Sequence, residues 1–225
     1  MNGMEKVNAA IFDMDGTLYQ FPDGATFSNS PLGEVVKENA TLFIAKEFKL
    51  GDDEARQKYM ELQIQYDGEM SLGLEQEFGI DRMRFFEETW SINPENIIVP
   101  EPNLKDELAQ LSIRCALLTS APRVWATRVL EYIDVVNMFD DLIFTGEPDI
   151  RKPNPKVFLA IAKILVLDTS QIVSIGDQEY SDIMPAKEVG MRTVRIGKGV
   201  RSDADFIAPD VRSASAILRQ EGLIV

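Results

Sequence analysis

Short apolar runs that end in polar residues recur along this chain, and they limit its fold more than any other feature. They are Val7–Phe12, Ile113–Leu118, Leu142–Phe144, Ile172–Ile175 and Thr193–Ile196. Helical spacing lies between them. Ala126, Val129, Leu130 and Ile133 follow i, i+3, i+4, i+7; Val157, Ile161, Ile164 and Leu165 follow i, i+4, i+7, i+8. A strand that is apolar throughout must be covered on both faces, and parallel neighbours need long crossovers, usually helices. The alternation therefore predicts an α/β fold, a parallel sheet with helices on both faces.

One region breaks the alternation. Leu32, Val35, Val36, Ala40, Phe43, Ile44 and Phe48 mark one helix face, opened by Ser30 as cap and Pro31 as first residue. Ala55, Tyr59, Leu62 and Tyr66 mark a second helix, with both tyrosines expected in the core, and Asp81–Trp90 reads as another. No strand is expected between about 25 and 90. The insertion is bounded by Phe21-Pro22-Asp23-Gly24 and by the segment Pro94 to Pro102, which read as two hinge strands. The expected division is a core of residues 1–20 and 101–225 and a helical insertion of 21–100 with its hinges. The chain returns to the sheet through a helix containing Leu104, Leu108 and Leu111.

The length of 225 residues suits one large domain or somewhat more. Histidine is absent, which removes Ser-His-Asp and Cys-His machinery and His-ligated zinc. One cysteine, Cys115, excludes an internal disulfide and a cysteine metal cluster; within its apolar run it reads as a small buried hydrophobe. The net charge of −14 disfavours nucleic acid as a partner. No apolar run approaches the roughly 20 residues that span a bilayer, so no membrane is expected. The apolar stretch Ala9–Phe12 stops at Asp13, too short for a signal peptide, and a cytoplasmic setting is expected. What the composition supplies in quantity is carboxylate, 37 Asp and Glu, which suits a hard cation.

Ligands of open parallel sheets bind beyond the carboxyl ends of the strands. After the first run comes Asp13-Met14-Asp15-Gly16-Thr17, and after the second Thr119-Ser120. Arg151-Lys152-Pro153 precedes the helix at Lys156; Gly176-Asp177 follows the fourth run, with Asp182 five residues on. Each has a bland reading alone. Asp13 and Asp15 can end a strand, Thr119 can cap a helix, Lys152 can be a solvated charge, Asp177 a turn residue and Asp182 a helix first-turn charge. Together they place three acidic clusters, a hydroxyl and a lysine at one sheet edge.

The segment Ile11-Phe12-Asp13-Met14-Asp15-Gly16-Thr17-Leu18 resembles the first signature of the haloacid dehalogenase-like (HAD) hydrolase superfamily. Leu118-Thr119-Ser120 resembles the second, Lys152-Pro153-Asn154-Pro155 the third, and Ile175-Gly176-Asp177 through Asp182 the fourth, in the family's order. The resemblance implies a Rossmann-like core and a C1-type helical cap that closes over the site and selects the leaving group. It implies Asp13 as nucleophile and Asp15 as the group that protonates the leaving oxygen and then activates water. Aspartate at position 15 marks phosphatases and phosphomutases, not dehalogenases. Thr119, the Ser120 N–H and the backbone at Gly16 would bind phosphate, and Lys152 would balance charge. Mg²⁺ would be held by Asp13, the carbonyl of Asp15, Asp177, and Asp182 directly or through water.

These residues imply a phosphatase acting on a small phosphorylated substrate. Tyr66-Asp67-Gly68, Leu72-Gly73-Leu74, Gly79-Ile80-Asp81 and Phe85-Phe86 are further similar to the cap of HAD-type pyrimidine 5′-nucleotidases, which points to a nucleoside monophosphate. Gly16 and Gly176 depart from that group, which often has Asn and Asp there. A sugar-phosphate phosphomutase would use the same Asp13 and Asp15. A binding or regulatory protein on the same core is the alternative from another class. Gly197-Lys198-Gly199 reads as a surface turn, and Trp90 and Trp125 as packing residues.

Overall fold

The computed structural model describes residues 6–21, 25–139, 141–199 and 201–225. The chain divides into two compact units, Met1–Gly24 with Ile98–Val225, and Ala25–Ile97. The hinge residues Pro22, Asp23 and Gly24 lie outside the described residues.

The first unit is built on a six-stranded sheet. Its strands are β1 (Ala9–Phe12), β2 (Arg114–Leu118), β3 (Ile143–Phe144), β4 (Ile172–Gly176), β5 (Arg192–Ile196) and β6 (Phe206–Ala208). The order is β3-β2-β1-β4-β5-β6, and every pairing is parallel. β1 is central, with Ile11 opposite Ala116 on one side and Ser174 on the other. All four of its residues are buried, as a strand covered on both faces requires. The sheet alternates with helices α5 (Leu104–Ala109), α6 (Arg123–Tyr132), α7 (Pro155–Leu165), α8 (Met184–Glu188) and α9 (Val211–Gln220).

One face of β1 feeds a core in which Ala9 and Ile11 join Ala116, Leu118 and Ile172 with Val157, Phe158, Ile161 and Leu165 of α7. Each Val, Leu, Ile or Phe side chain among them contributes about 1.5–3 kcal/mol by leaving water. The opposite face carries Phe12, whose ring meets Phe139 edge-on at 6.2 Å. α5 packs on α9, and Arg219 donates to the Gln110 carbonyl at 2.9 Å. Leu111 is buried but lies beyond the end of α5. Cys115 is buried and its thiol is pushed up to about 12 by burial. The bend at Gly197–Gly199 is at the surface.

The second unit is helical throughout: α1 (Pro31–Phe48), α2 (Asp52–Gln65), α3 (Met70–Phe78) and α4 (Arg82–Trp90), with 3-10 turns at Phe27–Asn29 and Pro94–Asn96. Ser30 caps α1, accepting from the Gly33 N–H at 3.1 Å, and Pro31 is its first residue. Asp81 caps α4. α1 packs on α2 and α4, with Phe43 against Phe85 at 5.2 Å, and Trp90 stacks on Phe27 at 5.5 Å. Three expectations change here. The segment Pro94 to Pro102 carries a 3-10 turn, not a hinge strand. Tyr59 and Tyr66 are partly exposed because their hydroxyls bond to Gln63 and Glu77 at the rim. α3 lies where no helix was expected. Among the described residues no helix is long and apolar enough to cross a membrane.

Candidate active site

The polar residues after β1, β2 and β4 and before α7 meet at one end of the sheet. Asp13 continues the ladder of β1, its N–H donating to the Ile175 carbonyl at 2.9 Å. The chain then turns at once, with Thr17 and Leu18 both donating to the Met14 carbonyl. Gly16 makes this turn at φ +88, and a Cβ there would stand 2.6 Å from Asp177 Oδ2. Glycine is required twice over, for the left-handed backbone and for the close carboxylate. Gly176, in ordinary strand backbone, is held to glycine by space alone, because a Cβ would stand 2.4 Å from the Asp182 side chain.

Asp13 is 7% exposed. Its Oδ1 accepts from Lys152 Nζ at 2.6 Å and its Oδ2 from Thr17 Oγ1 at 3.1 Å. Lys152 is also buried, and its ammonium donates at 2.7 Å to Asp182 Oδ1. Local structure fixes this lysine. Asn154 caps α7, accepting from the Lys156 N–H at 3.0 Å, with Pro155 as first residue. Asp182 sits in a π-helical turn, Glu179–Ile183, leading into α8, a bulge type that recurs at functional sites. Its Oδ2 accepts from the Gln178 N–H at 2.9 Å, and its carbonyl accepts from Ser174 Oγ at 3.0 Å.

Asp13, Asp177 and Asp182 each bring a carboxylate oxygen within 4.8 Å of the others. Burial, then the charges of Asp13 and Asp182, push the Asp177 carboxyl up to about 8. Burial raises Asp182 to about 6, with Lys152 opposing and Asp13 reinforcing. Burial alone would lower Lys152, but Asp13 and Asp182 outweigh it and the net direction is up. Asp177 Oδ1 is buried with no hydrogen-bond partner. With all three ionised, the carboxylates outnumber the one ammonium that bonds to them by two, and the Arg195 charge only partly eases Asp177. The donor set is all oxygen and its deficit is that of a divalent cation, so these residues fit a hard metal ion.

Asp15 lies beside this cluster. Its Oδ2 accepts from Thr119 Oγ1 at 3.4 Å, and its Oδ1 accepts from Trp125 Nε1 at 2.8 Å and from the Tyr19 hydroxyl. Burial raises the Asp15 carboxyl, against the lowering effect of Tyr19, Trp125, Lys152 and Thr119. Burial and then the Asp15 charge raise Tyr19 far above its usual range. Thr119 is buried at the end of β2 and accepts from the Ala121 N–H at 3.0 Å; Ser120 next to it is exposed.

Asp13, Lys152, Asp177 and Asp182 thus form one contiguous cluster, with Gly16 against Asp177 and with Asp15 and Thr119 adjoining. Tyr19 and Trp125 are additional neighbours of Asp15. The spacing of four from Asp15 to Tyr19 is a local signal; Trp125 is 110 residues away and had none.

Buried aspartates and a lysine thus meet at the carboxyl edge of a parallel α/β sheet, where ligands of such folds bind. The profile of the haloacid dehalogenase-like hydrolases matches residues 7–190, and the chain belongs to that family. It is 26% identical over 221 residues to the glyceraldehyde 3-phosphate phosphatase of Methanopyrus kandleri, covering 88% of each chain. It is 26% identical over 218 residues to the phosphoglycolate phosphatase of Neisseria meningitidis, covering 92% of this chain and 89% of that one. The HAD phosphatase of Thermococcus onnurineus superposes with a TM-score of 0.67 at 20% identity, over 94% of this chain and 98% of that one, which shows a shared fold.

Proposed function

We propose that this chain is a Mg²⁺-dependent phosphatase that hydrolyses a small phosphate monoester through an aspartyl-phosphate on Asp13. The observation that carries the reading is the buried Lys152 ammonium seated between Asp13 and Asp182, beside the unpartnered oxygen of Asp177. Asp13, Asp177, the carbonyl of Asp15, and Asp182 would hold the Mg²⁺. When bound, it supplies positive charge that lowers the repulsion between a carboxylate nucleophile and an anionic phosphate.

In the first step an Asp13 oxygen attacks phosphorus, the bond from phosphorus to the leaving oxygen breaks, and Asp15 gives its proton to that oxygen. In the second step Asp15, now a carboxylate, takes a proton from water as the water oxygen attacks phosphorus. The Asp13–phosphorus bond breaks and the carboxylate is restored. Lys152 neutralises charge on Asp13 throughout, and Thr17 holds its second oxygen. Thr119, the Ser120 N–H and the backbone at Gly16 receive the phosphate oxygens. The raised Asp15 carboxyl suits this cycle, which needs the group protonated at first and ionised later.

The relatives named for glyceraldehyde 3-phosphate and phosphoglycolate support a short organic phosphate as substrate. The nucleotidase resemblance of residues 66–86 makes nucleoside monophosphates the second class, and the helical insertion keeps the substrate-selecting role of a cap. The test is phosphate release with Mg²⁺ from p-nitrophenyl phosphate, glyceraldehyde 3-phosphate, phosphoglycolate and a panel of nucleoside monophosphates. EDTA is expected to abolish turnover, and Asp13→Asn to lower it by at least about a thousandfold, as loss of a covalent nucleophile does. Full activity in Asp13→Asn would overturn the mechanism.

A further inference from the structure

We infer that Tyr19 and Trp125 are positioning residues that clamp the Asp15 carboxyl group by Oδ1, so that Oδ2 delivers the proton to the leaving oxygen. The inference rests on the reading of Asp15 as general acid and base. Both residues are fully buried, at 0% exposure, and both direct a donor at the same oxygen, with Trp125 Nε1 at 2.8 Å. Packing alone does not ask for this. Phenylalanine at position 19 would fill nearly the same space, and an indole N–H must find a partner when buried. Here both partners are one atom.

Two donors on Oδ1 fix the plane of the carboxyl group, which otherwise turns freely about its last torsion. They also decide which oxygen reacts. Trp125 can only donate. Oδ1 accepts twice, whereas Oδ2 has only the long Thr119 contact at 3.4 Å, so Oδ2 is the oxygen better placed to carry the proton. It faces the Thr119 hydroxyl, the residue assigned to the phosphate. As phosphorus passes from the leaving oxygen to Asp13, the Oδ2–H bond breaks and its proton moves to the leaving oxygen. The aim of this group matters, since a displacement of about 1 Å can cost on the order of a hundredfold. Trp125 is the third residue of α6, which opens directly after Thr119, Ser120, Ala121 and Pro122. One helix therefore sets both the phosphate-binding turn and the direction of the acid.

The test compares kcat/KM for p-nitrophenyl phosphate and phenyl phosphate with Mg²⁺. The two are close in shape, but nitrophenolate leaves with little help and phenolate needs a proton. Asp15→Asn is expected to lose far more activity on phenyl phosphate. Tyr19→Phe and Trp125→Phe are each expected to widen the ratio between the substrates by about tenfold, a fraction of what general acid catalysis supplies. Equal losses on both substrates in either variant, with Asp15→Asn still discriminating, would overturn the clamp and leave the role of Asp15 intact. An Asp15→Asn protein that does not discriminate would instead remove the acid reading and the clamp with it. Thermal unfolding checks that the variants fold. Tyr19→Phe removes a single oxygen, so it decides the question if Trp125→Phe does not fold.

Discussion

Gly16 shows how little slack the site contains. Its backbone is left-handed and its missing side chain makes room for Asp177. A Gly16→Ala protein is expected to lose about 1–2 kcal/mol of stability from the positive φ alone. It should lose activity far more steeply, because the Asp177 carboxylate must move. Chemical denaturation and p-nitrophenyl phosphate turnover measure the two effects separately. A variant with wild-type turnover would show that Asp177 tolerates displacement. Lys152 shows the opposite economy, in which one charge serves two carboxylates. The sequence marked that lysine as a motif, but not its burial, because burial depends on Asp13 and Asp182 arriving from two other strand ends.

Helix caps carry much of the site's rigidity. Asn154 at the start of α7 stands two residues from Lys152. Asn154→Ala is expected to cost about 1 kcal/mol of stability and to lower turnover, because the preceding turn loosens. Ser30→Ala at the start of α1 should cost a similar amount, so any excess loss of turnover in Asn154→Ala measures how much Lys152 depends on its cap. The Ser30 cap was legible as a Ser-Pro pair. The strands β1, β2, β4 and β5 were legible within one or two residues, since β1 and β4 are fully buried and β2 and β5 still bury most of their residues. β6 was not, because it has three residues and two of them are partly or fully open to solvent. α3 was hidden because Met70, Leu72 and Leu74 alternate as in a strand and Gly73 interrupts them. α9 lay outside the helices read from sequence although Val211, Ala214, Ser215 and Leu218 carry helical spacing behind the Asp210 cap. The clustered aspartates were visible as motifs, whereas the hydrogen bond from Trp125 to Asp15 exists only in three dimensions.

The charge cluster also makes the stability of the unit that holds it depend on pH. Asp177 ionises near 4 in an unfolded chain and at about 8 here. Its folded-state value is raised, so folding is favoured while the group is protonated in both states, and that advantage is lost as pH climbs from about 4 to about 8. In EDTA the melting temperature is therefore expected to fall across that range. Mg²⁺ should restore it most at the upper end, and metal-free Asp177→Asn should show a weaker slope. Scanning fluorimetry at several pH values checks this, and a flat metal-free profile would refute it. Such instability is the reverse side of affinity, since what the empty cluster lacks is what a cation supplies. The central place of β1 has a consequence for synthesis. Its Ala9 pairs with Arg114 on one side and Ile172 on the other, so the strand that leads into Asp13 is made early and flanked late. A nascent chain released before β4 has emerged exposes a bare apolar edge, an invitation to aggregate, and lacks Asp177 and Asp182. Such a fragment is not a weaker enzyme. It is a hazard without an activity, and its removal falls to the cell's quality control.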